Sequence, residues 1–162
     1  MKARPHGTWT PARIFMAISA VIHVPLAIGG LVVDQTFPFG PGEASSAGSA
    51  HIFGVFETNG WHSLGAVAVA AVSLYFAIRP RGAREAALVL GITHIVLFVS
   101  LALWEPETFL IASNAADQVV HSFTAIGGTL SGLLTAPAIG SPRIRRHRME
   151  EEVRSERYEP QT

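Results

Sequence analysis

The sequence predicts an all-α, antiparallel bundle of four transmembrane helices with both termini in the cytoplasm, and three observations carry that prediction. The 162 residues are 49% hydrophobic and 15% charged, with a mean hydropathy of +0.34, whereas soluble domains carry about 25% charged residues. Four apolar segments, approximately residues 12–33, 59–78, 84–104 and 118–139, reach the roughly 20 residues that a hydrocarbon core of about 30 Å demands at about 1.5 Å per residue. All twelve Lys and Arg fall on one side of these segments, while Asp34, Glu43, Glu57, Glu105, Glu107 and Asp117 fall on the other. The cationic side is the cytoplasmic one by the positive-inside rule, which places the protein in the cytoplasmic (inner) membrane with lipid as its immediate partner. The chain then divides into a leader (1–11), a membrane domain (12–139) and a charged tail (140–162).

In the leader, Trp9 is expected at the headgroup level. The first helix contains His23 and, two residues on, Pro25, which removes a backbone hydrogen bond and favours a kink. Its apolar run exceeds the core of about 7 to 15 residues typical of a secretory signal and no small-residue cleavage site follows, so it reads as a retained span. The outer loop, residues 34–58, is rich in Gly, Pro, Ser and Ala. It closes with the apolar piece His51-Ile-Phe-Gly-Val-Phe56, which is too short to span and is expected to cover the outer end of the bundle rather than lie in the interface.

Thr58 or Asn59 caps the second helix, with Trp61 at the outer interface. The turn Arg79-Pro-Arg-Gly82 is short enough to lay the third helix beside the second, and that helix stops at Trp104-Glu105-Pro106. The fourth helix opens on Asn114, Asp117 and His121 and continues through Thr124, Gly128, Gly132 and Ala136, a small-xxx-small ladder that marks a candidate self-association face at Gly128 and Gly132. In the tail, RIRRHR and EEE follow one another. Its arginines can lean on anionic lipid, and no nucleic-acid motif accompanies them.

Each predicted span carries one histidine. His23 and His94 lie about ten residues from the cytoplasmic ends of parallel helices, hence near the midplane at roughly 15 Å. His62 and His121 lie near the outer ends of the other two. The spacing therefore predicts two layers, a central pair and an outer pair, all on small-residue faces that turn into the bundle.

Four uses compete for them. The favoured one is packing, each ring bonding a neighbouring helix in a structural or accessory membrane subunit. A second is axial ligation of haem b by His23 and His94, with nearby glycines making room for the macrocycle. A third is a proton or ion pathway, or a divalent metal site, at the outer end from His62, His121, Asp117 and Glu57, with His51 close by in sequence. The last is a lipid or quinone cleft under the loop. No nucleophile, phosphate-cradling loop or zinc-protease spacing assigns a catalytic residue. The absence of cysteine excludes disulfides, thiolate metal sites and thiol catalysis.

The segments FGVFETNGWHSLGA and NAADQVVHSFTAIGG carry a resemblance across roughly residues 12–139. The chain resembles the small bacterial four-span membrane proteins grouped as a domain of unknown function and common in high-GC Gram-positive bacteria and cyanobacteria. Their pattern opens the second helix with Asn-x-x-His, matched by Asn59 and His62, and the fourth with Asn-x-x-Asp-Asn-x-x-His, matched by Asn114, Asp117 and His121. The chain departs from it at Ser63, at Ala66 where the pattern has a second histidine, at Gln118, and at His94, where aromatic residues are commoner. The resemblance implies the topology and a shared outer His/Asp set, and no activity.

Overall fold

A computed structural model describes residues 9–39, 50–103, 111 and 113–135. The first eight residues, the centre of the outer loop, the expected stop at Trp104-Glu105-Pro106, residues 136–139 of the fourth segment and the charged tail lie outside the described residues. Four helices run among the described residues: α1 (Pro11–Val33), α2 (Gly60–Ile78), α3 (Ala83–Leu103) and α4 (Ala115–Leu134). Between α1 and α2 a short antiparallel hairpin pairs β1 (His51–Ile52) with β2 (Phe56–Glu57).

Each helix start has a local cause. Thr10 accepts from the Arg13 amide at 3.3 Å ahead of Pro11, whose missing N–H costs nothing in the first turn. Asn59, rather than Thr58, caps α2 by accepting from the His62 amide at 2.9 Å. Asn114 accepts from the amides of Ala116 and Asp117, and Asp117 Oδ2 accepts in return from the Asn114 amide at 2.8 Å, which closes a capping box. Gly82, with φ +84, supplies the left-handed residue that the turn into α3 requires.

The helices pack chiefly as two pairs, α1 with α2 and α3 with α4, while α1 also meets α4 and α3. Despite the short turn that joins them, α2 and α3 touch only sparingly, which corrects the expectation that they lie side by side. The close faces point elsewhere. A Cβ on Gly30 would collide with Ser63 of α2, and one on Gly128 would stand 2.9 Å from Gly91 Cα and 2.8 Å from the Ala87 carbonyl of α3. The ladder of α4 is therefore filled from within the chain: Gly91 and Leu88 occupy the Gly128 and Gly132 face that marked a candidate for self-association.

Burial is inverted relative to a water-soluble bundle. The faces turned inward are small or polar, as in Ser19, Ala20, His23 and Ala27 of α1 or Thr124, Ala125, Gly128 and Ser131 of α4. Large aliphatic residues such as Val21 (74% exposed), Ile28, Leu74, Val89, Val96 and Ile126 face outward. An apolar solvent explains such a surface, since backbones can then approach only where side chains are small. Three helices, Pro11–Val33, Gly60–Ile78 and the Ala83–Ser100 part of α3, are long and apolar enough to cross a membrane. The fourth, at 20 residues or about 30 Å, matches them in length but spends its inner face on Asp117, His121, Thr124 and Ser131.

The two ends of the bundle differ in kind. At the turn end, Ala12, Phe15, Met16, Ala77, Ala83, Ala86, Ala87 and Leu90 form a dry cluster. Arg13 Nε there donates to the Ala77 carbonyl at 2.8 Å and Arg84 Nε to the Thr135 carbonyl at 3.0 Å, so two cations sit on helix C-termini, where the dipole favours them. At the hairpin end the interior is polar, and all four helical histidines lie in that half.

A histidine chain beneath the hairpin

The hairpin is fixed from both sides. Ile52, almost fully buried, presses on Gly29 of α1, where an added Cβ would lie 2.6 Å from Ile52 Cγ2. On the other side the Glu57 amide donates to Asp117 Oδ2 at 3.2 Å, and Asn114 Nδ2 donates to the Val55 carbonyl at 2.8 Å. The expected cover over this end of the bundle is thus a strap from α1 to α4. Trp61 closes its flank, donating from Nε1 to the Pro38 carbonyl at 3.0 Å and taking the edges of Phe37 and Phe39.

Under the strap the four rings touch in series. His62 stacks on His121 at 5.7 Å between centroids, His121 meets His94 at 5.6 Å, and His94 meets the edge of His23 at 6.3 Å. The two separate layers expected from depth are one chain, and the reason is the start of α4. Its capping box begins the helix at Ala115, so His121 lies six residues, about 9 Å, below the start, and reaches both His62 at the hairpin end and His94 in mid-helix.

Three of the four rings are held in the same way. His62 Nδ1 donates to the Glu57 carbonyl at 3.0 Å, His94 Nδ1 to the Leu90 carbonyl at 2.8 Å, and His23 Nδ1 to the Ser19 carbonyl at 2.8 Å. A carbonyl accepts only, so each of these nitrogens carries the proton, and in the neutral ring Nε2 keeps a lone pair. The helical rings at 23 and 94 bond one turn back in their own helices, whereas packing by histidine would run the bond to a neighbouring helix. His121 differs from all three. It is 7% exposed, and neither of its ring nitrogens meets a hydrogen-bond partner.

Around the rings runs a hydroxyl shell. Ser19 Oγ lies 2.9 Å from Ser73 Oγ and 3.3 Å from His23 Nδ1, and Thr58 Oγ1 lies 3.1 Å from Ser63 Oγ. Ser73 was legible only as the polar residue on the buried stripe Ser63, Ala66, Ala70, Ser73 and Ala77 of α2. Asp117, 3% exposed, belongs to the cap and strap through Oδ2. Glu57 contributes its backbone to both His62 and Asp117.

A family described as Domain of unknown function (DUF4383) matches residues 13–134, from the first turn of α1 to the last of α4. The chain belongs to that family. No curated protein and no solved structure matches it significantly. The DUF4383 chain, with its apolar spans and outward aliphatic surface, is a helical membrane protein.

Proposed function

We propose that this DUF4383 protein resides in the cytoplasmic membrane with both termini in the cytoplasm, and that the histidine chain at its outer end is a binding site for a small cation. The twelve cations gathered on one side of the spans support the orientation, which turns the hairpin end outward. The observation that carries the site is His121, buried between the imidazoles of His62 and His94 with both nitrogens free of partners among the described residues. A ring retained for packing would be expected to satisfy at least one of them.

The geometry favours a cation over the competing uses. Glycines that could have admitted a macrocycle between His23 and His94 are spent on close helix contact, Gly91 against the Gly128 backbone and Gly30 against the Ser63 side chain, so a small ion suits the space better than haem. The dry cluster of Phe15, Met16, Ala87 and Leu90 at the turn end argues for a site entered from one side rather than a conduit through the bundle.

The test is the stability of His121→Leu in detergent with chelator present. An open site predicts that the variant unfolds at the same or a higher temperature than the wild type, because a buried unpaired group has been removed. Loss of several degrees would make His121 a packing residue and end the cation reading.

A further inference from the structure

The geometry points to a first-row transition-metal dication of the Co²⁺ to Zn²⁺ kind as the cation, bound by His62, His94 and His121; this rests on the cation site proposed above. The first argument is the way the rings are held. Metal-binding histidines almost always donate the ring N–H that does not face the metal to a carbonyl or carboxylate, which fixes the tautomer and raises the basicity of the other nitrogen. His62, His94 and His23 all do so, to Glu57, Leu90 and Ser19. His121, unpartnered at both nitrogens, can offer either one.

Ligand type supplies the second argument. Imidazoles suit zinc, copper, nickel, cobalt or iron, whereas magnesium and calcium require oxygen cages. The chain has no cysteine, so no thiolate competes for the ion. Charge supplies the third. A dication among neutral rings needs a counter-charge, and the Asp117 carboxylate lies within electrostatic reach of His62 while its Oδ2 is fixed by the amides of Glu57 and Asn114. Asp117 thus acts as compensating charge, not as a ligand.

As the rings stand, no three His, Asp or Glu side chains among the described residues converge tightly enough to hold a metal. The gap is small. Imidazoles radiating from one ion with nitrogens at about 2.0–2.1 Å have centroids roughly 5 Å apart, against 5.6 and 5.7 Å for the two contacts of His121, on either side of which His94 and His62 lie. Binding one ion therefore requires the side chains of His62, half-buried at the strap, and His121 to turn a nitrogen each toward His94.

The test uses full-length protein, stripped with chelator, dialysed, and titrated with Zn²⁺ by calorimetry and with Co²⁺ by visible absorption, with millimolar Mg²⁺ and Ca²⁺ as competitors. The expected result is one ion per chain, a tetrahedral Co²⁺ spectrum, no competition from Mg²⁺ or Ca²⁺, binding at least 100-fold weaker in His121→Ala and in His94→Ala, and unchanged binding in the tail variant His147→Ala. Absent binding, or binding that survives both core variants, overturns the metal. If chelated His121→Leu is nevertheless as stable as wild type, the cation reading stands with a proton as its ion; if that variant is destabilised too, both fall together.

Discussion

His121 carries a cost in the cation-free bundle, since a buried polar group without a partner typically costs about 1–3 kcal/mol. Its neighbours are held differently and respond differently to change. Asp117 satisfies two amides at once, those of Asn114 and Glu57, so Asp117→Ala opens the α4 cap and releases the strap together. We expect a loss of about 1–3 kcal/mol in detergent unfolding, with Asp117→Asn recovering much of it because an amide oxygen can still accept. Asn59→Ala, which removes the α2 cap, should cost about 1 kcal/mol or more. The acidic and amide caps were readable from residue type and position alone. The place of Ser73 in the hydroxyl shell was not, because a serine on a helix declares its partner only once the facing helix is placed.

At the scale of elements, the α3–α4 pair depends on contact between two backbones. Gly91 and Gly128 have no room for a side chain, so Gly128→Val must push the helices apart. The variant should lose about 1–3 kcal/mol or more and also disturb the His94 and His121 contact two turns away, whereas Gly65→Val, at a position facing open space, should change neither. Thermal unfolding of the two variants side by side separates them. The four helices were legible in the sequence from apolar length, but their partners were not. Turn length suggested α2 beside α3, whereas the small faces at Gly30 and Gly128 decide α1 with α2 and α3 with α4. The same holds for the histidines. Depth counted along the fourth apolar segment put His121 in an outer layer, and only the capping box, which starts α4 at Ala115, lowers it to the level where it joins His94.

For the molecule as a whole, a dry turn end and a polar, strapped hairpin end amount to a one-sided cup. The natural absence of cysteine makes the sidedness directly measurable. Val55→Cys on the exposed hairpin should react with a membrane-impermeant maleimide on intact cells, and Arg81→Cys in the α2–α3 turn only after lysis; the opposite pattern would invert the topology. The central claim concerns the four rings together and is tested most directly by nitrogen NMR of histidine-labelled protein in detergent. The account predicts that, without added cation, His23, His62 and His94 show hydrogen-bonded Nδ1–H while both nitrogens of His121 lack a hydrogen bond, and that adding Zn²⁺ or acid changes His121 first. A His121 already hydrogen-bonded in the cation-free protein and indifferent to both additions would contradict it.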